Sequence, residues 1–215
     1  MMLAFLGGTG AEGQGLALRY ALANEDVIIG SREKDKARKT AEKLQALVPN
    51  AQIFYGSNIE AAVRGDLIFL TVPYEAEEDL LRILRDHLFG KIVVNVGLAM
   101  KIQDGLASTI ELEERSVSAK CQSLIPGSYV VSAFQNISAV ELLNSNHRME
   151  GDVIVCSDYK EAKERVMKLV ELINDLRAID GGPLQNARFV EELTVLLVNI
   201  NLRYKTRSAI KIIGV

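Results

Sequence analysis

Short apolar runs alternate with longer amphipathic segments along the first half of the chain. The short runs are too short for helices, whereas apolar residues three or four positions apart in the longer segments favour helices. Strands are predicted over residues 3–6, 27–29, 52–55, 67–72 and 92–96, and helices over 16–23, 37–48 and 76–84. This order predicts an α/β fold, a doubly wound parallel sheet with helices on both faces.

The same alternation continues beyond residue 100 with less regular spacing. Strands are predicted over residues 129–134, 152–156 and 177–180. Ser157 is predicted to cap a helix, because apolar side chains follow it at helical spacing on one face. Residues 104–120 are polar and irregular, and we interpret them as a helix flanked by loops.

A last long helix is predicted from Leu184 to about residue 204. Its C-terminal half is apolar nearly all round, so several of its sides must be covered. Two interpretations stay open: a helix buried in the core, or a helix at a subunit interface.

Composition excludes several classes of function. The chain has 215 residues and a formal net charge of -3, so no basic field for nucleic acid is expected. Cys121 and Cys156 are far apart without C-x-x-C spacing, which argues against structural zinc and favours a reducing compartment. No apolar run approaches the roughly 18 residues of a membrane helix. We therefore expect a soluble, cytoplasmic protein without membrane or nucleic-acid partners.

A glycine turn of the form G-x-G-x-x-G follows the first predicted strand directly. Gly8 permits the tight turn, Gly10 lets the backbone approach a pyrophosphate, and Gly13 lets the next helix pack against the strand. Residues 9–12 then open a helix whose free N–H groups and dipole favour phosphates. In this βαβ context the motif predicts a dinucleotide site.

The second predicted strand ends in Ser31 and Arg32, where binders of unphosphorylated dinucleotides usually carry an acidic residue. Arg32 and Lys36 are four positions apart, at the predicted start of a helix, so they would share one face. The alternative is that both side chains pair with Glu33 or Asp35. We favour a cradle for a 2′-phosphate, which predicts a preference for NADP(H) over NAD(H).

The ends of the later strands carry no recognisable catalytic set. Residues 71–74, 96–98 and 133–139 leave the sheet at its ligand-binding edge, yet they offer no Ser/His/Asp triad, carboxylate pair or metal cluster. Tyr74 is either a ring that faces the cofactor or a packed aromatic, and both interpretations stay open. We predict no acid/base residue and no metal, which suits a hydride acceptor that is itself a cofactor ring aligned by the protein.

The chain resembles the F420H2:NADP+ oxidoreductases, also called NADPH-dependent F420 reductases, over nearly its whole length. The resemblance implies hydride transfer between NADP(H) and coenzyme F420 in a cleft between a domain of residues 1–150 and a small α/β domain of residues 151–215, in a homodimer or higher homo-oligomer. It is carried by these segments: Gly7-Gly8-Thr9-Gly10 with Gly13 and Gly15, Gly30-Ser31-Arg32 with Lys36, Thr71-Val72-Pro73, Val130-Val131-Ser132-Ala133 and Asp180-Gly181-Gly182-Pro183-Leu184.

The resemblance also implies which residues meet each part of the two ligands. Gln135 stands where a family histidine can stand, and residues 96–99 differ from the family's proline-containing loop. The expected pyrophosphate contacts are Thr9, Gly10, Ala11 and Glu12; the 2′-phosphate contacts are Ser31, Arg32 and Lys36. The nicotinamide end is lined by Pro73, Leu98 and Ala139, and the deazaflavin lies against Gln135, Ile137 and the tail near Ser208.

Two other functions are compatible with the same NADP(H) site. One is an NADPH-dependent reductase that passes hydride to a flavin or a ferric chelate. The other is an NADP(H)-sensing protein without turnover.

Overall fold

The computed structural model describes residues 1–215 and is built on a six-stranded parallel sheet. The strands lie in the order β3-β2-β1-β4-β5-β8. In register, Leu3 of β1 lies opposite Val27 of β2 on one side and Leu67 of β4 on the other. The strands of this sheet are β1 (Met2–Leu6), β2 (Asp26–Ser31), β3 (Ile53–Ser57), β4 (Leu67–Leu70), β5 (Ile92–Asn95) and β8 (Tyr129–Ser132).

Helices cover both faces of the sheet, as predicted. Leu3 and Phe5 of β1 point to a core shared with α1, α2 and α7, whereas Ala4 and Leu6 point to a second core formed with α3, α4 and α5. The doubly wound fold is therefore confirmed. The helices are α1 (Ala11–Leu22), α2 (Lys34–Leu47), α3 (Asn58–Arg64), α4 (Tyr74–Leu88), α5 (Val117–Leu124), α6 (Ala139–Leu142), α7 (Lys160–Glu171) and α8 (Ala187–Tyr204).

Two small sheets complete the architecture. β6 (Met100–Gln103) and β7 (Leu106–Thr109) form an antiparallel hairpin, and β9 (Gly151–Val155) pairs in parallel with β10 (Leu176–Asp180). An antiparallel bridge between Ser132 and Cys156 joins the end of β8 to the end of β9. Apolar side chains of β9 and α7 enter the core of the main sheet, so the two parts of the chain share one core.

Several predicted boundaries are wrong for identifiable reasons. The segment 104–120 contains the end of the β6–β7 hairpin, and its helix, α5, begins only at Val117. Ser157 does not cap α7, which begins at Lys160; its Oγ instead donates to the carbonyl oxygen of Val130 (2.7 Å) and accepts from the N–H of Tyr159 (3.2 Å). The fourth strand, predicted over residues 67–72, ends at Leu70, and Pro73 is the N-cap of α4.

Helix α8 packs on β7 and α5 with only part of its surface. Phe189 is 53% exposed and Leu196 is 55% exposed. A fully buried core helix is therefore excluded for the single chain. No helix of the structure combines the length and the apolar character that crossing a bilayer requires.

Candidate functional site

A cleft of about 580 Å³ opens at the carboxyl edge of the main sheet. It lies where the strand order reverses between β1 and β4, the usual ligand position in doubly wound folds. Its walls come from the segments that follow β1, β2, β4, β5 and β8. Of the sequence-predicted residues, the cleft gathers Thr9, Gly10, Ala11, Glu12, Ser31, Arg32, Lys36, Pro73, Tyr74, Leu98 and Gln135.

The three motif glycines have two different structural roles. A Cβ on Gly8 would lie 2.8 Å from the carbonyl oxygen of Phe5, and one on Gly13 would lie 2.6 Å from Gly8 Cα and from Thr71 Oγ1. These two glycines shape the turn and do not line the cleft. A Cβ on Gly10 would meet nothing closer than 3.7 Å, so the protein's own packing does not require this glycine. The space beside Gly10 suits a closely approaching phosphate.

Helix α1 begins at Ala11, and its N-cap residue, Gly10, has no side chain that could accept the first N–H groups of the helix. The backbone N–H groups of Ala11, Glu12 and Gly13 have no hydrogen-bond partner in the chain. Unpaired donors at a helix N-terminus favour anions. The pyrophosphate of a dinucleotide therefore fits this end of the cleft.

Glu12 adds an unusual group to the same end of the cleft. Its side chain is partly buried, and Oε1 is enclosed without a hydrogen-bond partner. Burial raises the pKa of the Glu12 carboxyl to about 8. The neutral form is thus favoured at pH 7, and a neutral carboxyl does not repel phosphate.

Asn58 lines the cleft and was missed by the sequence analysis. It is the first residue of α3, and its Oδ1 accepts the N–H of Gly7 (3.1 Å). This bond fixes the start of the glycine turn from across β2. The preceding capping box of Ser57 and Glu60 was a detectable sign of α3.

The predicted 2′-phosphate residues converge on the cleft, with two differences from the prediction. Arg32 precedes α2, so it does not share a helix face with Lys36. Lys36 Nζ pairs with Glu33 Oε1 at 2.7 Å, the alternative that the sequence left open. Arg32 is exposed and makes no ion pair, and Ser31 Oγ accepts the N–H of Glu33 (3.2 Å). One guanidinium is therefore free to bind an anion.

The opposite end of the cleft is lined mainly by apolar side chains, and we name it the flat end because such walls suit a planar ring. Pro73, Leu98 and Phe134 line it together with Tyr74, whose ring lies 5.5 Å from Lys120 Nζ in a cation–π contact. The backbone of Phe134 has φ 73°, a rare value for a bulky residue, and it directs the chain from β8 into Gln135. Rigid apolar walls of this kind suit a planar ring.

Three predicted contacts lie outside the cleft. Ile137 is buried in the main core, and Ala139 begins α6, which packs on α1. Ser208 lies on the C-terminal tail, where its N–H donates to Asn201 Oδ1 (2.6 Å). The single chain does not bring these residues to the cleft, and their assignment to ligand contacts stays a prediction.

Buried acidic residues lie behind the flat end, and the sequence gave no indication of them. Burial raises the pKa of Glu77 to about 8 and that of Glu191 to about 7. They are hydrogen-bonded to Asn95 and Ser118, which are fully buried. Glu77 and Glu191 come from α4 and α8, so only the tertiary structure brings them together.

Comparison with known proteins identifies the family. Residues 2–98 match the family described as "NADP oxidoreductase coenzyme F420-dependent". The chain is 39% identical to the F420-dependent NADP reductase of Methanocaldococcus jannaschii over 97% of this chain and 96% of that protein. The chain belongs to the family of F420-dependent NADP reductases. The predicted resemblance is therefore confirmed.

Two further comparisons agree with the F420-dependent NADP reductase family. The enzyme of that name from Methanothermobacter thermautotrophicus is 38% identical over 97% of this chain and 93% of that protein. A crystal structure from Arthrobacter sp. FB24, whose description reads "putative f420 dependent nadp-reductase", superposes with a TM-score of 0.82 over 98% of both chains at 19% identity. That likeness shows a shared fold. The prediction of an oxidoreductase is confirmed by the family.

Proposed function

We propose that this protein transfers hydride between NADP(H) and coenzyme F420 in the cleft at the carboxyl edge of the sheet. The observation that carries the proposal is the division of this cleft into two ends. One end offers unpaired N–H groups at Ala11 to Gly13 and a free guanidinium at Arg32. The other end offers the flat wall of Pro73, Leu98 and Phe134.

At the first end, the chain's groups match the anionic parts of NADP(H). The turn at Gly10 and the start of α1 would hold the pyrophosphate, while Ser31, Arg32 and Lys36 would hold the 2′-phosphate. Lys36 would leave Glu33 to do so, because the two are paired at 2.7 Å. Charge-assisted hydrogen bonds of this kind favour the phosphorylated dinucleotide over NAD(H).

At the second end, the chain aligns rings and excludes water. When bound, the two cofactors supply the hydride chemistry themselves, between the nicotinamide and the deazaflavin. Pro73 and Leu98 would set the position of the nicotinamide, and Gln135 would face the deazaflavin. Alignment of two reactants in a fixed geometry is a large part of the rate enhancement available to such an enzyme.

The same proposal includes a homo-oligomer. Apolar side chains stay exposed on α8 and on the β6–β7 hairpin that it contacts: Phe189, Leu196, Leu202, Ile102 and Leu106. Exposed apolar side chains on two contacting elements favour a second copy of the chain. Light scattering coupled to size-exclusion chromatography measures the mass directly, and a monomer at micromolar concentration would contradict this part.

The experiment is steady-state oxidation of NADPH with F420, FMN, FAD and a ferric chelate as separate acceptors. F420 is expected to be reduced fastest, with loss of NADPH and of oxidised F420 in equal amounts. Faster turnover with FMN or the ferric chelate would instead assign a flavin or ferric reductase. Tight NADPH binding with no oxidation by any acceptor would assign a sensor.

A further inference from the structure

A connected set of buried polar side chains lies directly behind the flat end of the cleft. We name it the buried cluster; none of its members is more than 7% exposed, and Asn95 and Ser118 are fully buried. Its members come from five separate elements or their ends: Glu77, Asn95, Ser118, Gln135 and Glu191. Gln135 itself lines the cleft, and Asn95 is connected to it through its bond to Gly97, which also lines the cleft.

Asn95 is the centre of the cluster because both ends of its amide are engaged. Its Nδ2 donates to Glu77 Oε1 (2.7 Å), and its Oδ1 accepts the N–H of Gly97 (3.0 Å). Glu77 accepts at one end of the amide while Gly97 and Ser118 donate to the other, and together they fix which way the amide faces. Without Glu77, Nδ2 of Asn95 would be buried without a hydrogen-bond partner. The amide group that accepts the N–H of Gly97 would then be held less firmly in place.

Glu77 also supports the wall sterically. A Cβ placed on Gly97 would lie 2.8 Å from Glu77 Oε2, so the carboxyl packs against the back of the loop that carries Leu98. Oε2 has no hydrogen-bond partner. The carboxyl thus holds one face of this loop while Leu98 presents the other side to the cleft.

The same asparagine holds the Gln135 side of the cleft. Gln135 Nε2 donates to the backbone oxygen of Asn95 (3.0 Å) and to Ser132 Oγ (2.8 Å). Because Gly97 and Gln135 are both bonded to Asn95, a shift of this residue moves two walls at once. The positive φ of Phe134 leaves the Gln135 segment little freedom to compensate.

We infer that Glu77 is a positioning residue, whose carboxyl fixes Asn95 and thereby the Gly97 and Gln135 walls at the nicotinamide end of the cleft. This inference rests on the proposed function for the placement of the nicotinamide. In this role Glu77 contacts neither ligand. It supports the wall of the cleft, and the wall sets the distance and tilt of the nicotinamide ring.

The charge state of Glu77 follows from its surroundings. The pKa of Glu77 is raised to about 8, mainly by burial; the Asn95 bond and Lys120 of α5 act to lower it, and Glu191 of α8 acts to raise it. Cys121 of α5 also faces it, and burial raises the pKa of that thiol well above its usual value. Strand β5 contributes no titratable side chain.

The charged residues of the neighbouring helix α3 do not change this balance. Glu60 pairs with Lys34, and Arg64 lies over the ring of Phe54. Lys120 itself is bound to Glu78 at 2.8 Å. Ionisation of Glu77 above pH 8 would therefore place a poorly compensated charge behind the wall and loosen it.

The test compares Glu77→Ala, Glu77→Gln and the control Glu75→Ala, which alters an exposed residue of the same helix without hydrogen-bond partners. Calorimetry gives the affinities for NADP+ and for 2′-phospho-ADP-ribose, which lacks the nicotinamide. We expect Glu77→Ala to lower the ratio of these affinities by about tenfold and kcat by about tenfold or more. Affinity for the fragment is expected to stay within about twofold.

Glu77→Gln keeps an oxygen that accepts from Asn95 and stays neutral at every pH. It is expected to restore the affinity ratio at pH 7. In the wild type this ratio falls as pH rises through about 8, and in Glu77→Gln the fall is smaller, with only the contribution of Glu191 left. This readout remains decisive if Glu77→Ala does not fold.

Three results would overturn the inference. One is equal loss of fragment and NADP+ affinity in Glu77→Ala, which indicates a general structural role. Another is an unchanged ratio in Glu77→Ala, and the third is a pH profile of Glu77→Gln identical to that of the wild type. The affinity ratio needs no F420, so a protein that fails to reduce F420 disproves the proposed acceptor without deciding the role of Glu77.

Discussion

Lys36 Nζ lies 2.7 Å from Glu33 Oε1 at the mouth of the cleft, so a cation expected to bind the 2′-phosphate is held by a neighbouring acid. Both side chains are more than 60% exposed, which makes the pair weak in itself. Its relevance lies in competition, because phosphate binding must separate the two groups or place phosphate beside Glu33.

Glu33→Gln is therefore expected to tighten NADP(H) binding by about two- to tenfold, since it frees Lys36 and removes a negative charge from the cleft. Calorimetry at low and high salt measures the gain, which should shrink as salt rises. Asp35→Asn is the matched control, because Asp35 is in the same turn and lies 3.8 Å from Arg38 rather than in the cleft. Equal gains in both variants would show a general charge effect.

Arg32→Ala is expected to weaken NADP(H) binding by about tenfold to a hundredfold and to spare NAD(H). The reason is that a charge-assisted hydrogen bond contributes about 1.5–3 kcal/mol, and Arg32 has no other ion-pair partner. Titration of both dinucleotides into both proteins measures it. Parallel losses for the two dinucleotides would refute a 2′-phosphate contact.

Much of the fold was predictable because local pattern and tertiary structure agree in it. The strand before Gly8 and the helix after Gly13 follow from apolar periodicity and glycine spacing alone. The β6–β7 hairpin was missed although Asp104 and Gly105, with φ 52° and 78°, form the turn that an Asp-Gly pair favours. The two strands are mostly exposed and mix polar with apolar residues, so they lack the apolar pattern by which the other strands were predicted.

The buried cluster could not be predicted in the same way. Glu77 and Glu191 belong to amphipathic helices, and acidic residues in such helices are usually exposed. Their burial depends on how α4, α5 and α8 pack at the end of β5, which no local pattern specifies. The pairing of Lys36 could not be predicted for a similar reason. Whether its ammonium group binds Glu33 or a ligand depends on side-chain geometry.

Gly10→Ala and Gly13→Ala are expected to fail in different ways. Gly10 has φ −74°, and an added Cβ would make only ordinary van der Waals contacts at 3.7 Å and beyond, so Gly10→Ala should fold normally. It should weaken NADP(H) binding by about tenfold or more, because the methyl group occupies the phosphate's position.

Gly13→Ala should lose about 1–3 kcal/mol of stability, because its Cβ would lie 2.6 Å from Gly8 Cα. Thermal unfolding measures the stability of each variant, and calorimetry measures its affinity for NADP(H). Destabilisation by Gly10→Ala would contradict the assignment of Gly10 to the phosphate site.

Asp152→Asn is expected to destabilise the protein by about 1–3 kcal/mol and to release the C-terminal tail. The fully buried Asp152 carboxylate accepts two bonds from Arg177 at 2.8 Å and the N–H of Ile212. Arg177 in turn donates to the carbonyl oxygen of Ile212 (2.7 Å), so the pair fastens the tail to β9 and β10. Chemical denaturation measures the loss of stability, and faster cleavage of the C-terminal tail in limited proteolysis shows that the tail is released.

The pH dependence of this variant has a defined sign. Arg177 lowers the pKa of Asp152 below its ordinary value, so the stabilisation is present above about pH 4 and is lost as pH falls through the lowered pKa. The difference between wild type and Asp152→Asn should therefore shrink in acid. Asp175→Asn is the control, because Asp175 also forms a two-bond pair, with the 84% exposed Arg148, and should change stability by less than about 1 kcal/mol.

Glu12→Gln is expected to raise the melting temperature above pH 8 by about 5 °C and to change it little near pH 4.5. Burial raises the pKa of Glu12 from 4.5 to about 8, so the folded state retains a proton that the unfolded chain releases. Stability of the wild type consequently falls as pH rises between these two values and levels off above them, whereas a neutral glutamine contributes no such slope.

NADP(H) affinity should follow the same titration, because an ionised Glu12 at the start of α1 would repel the pyrophosphate. Wild-type affinity should decline above pH 8, and Glu12→Gln should make that decline smaller. Glu171→Gln, a change of an exposed residue distant in sequence from the glycine turn, should leave both profiles unchanged. If Glu12→Gln follows the wild-type profile in both measurements, the Glu12 carboxyl is ionised in the folded protein and does not carry the proton that its burial implies.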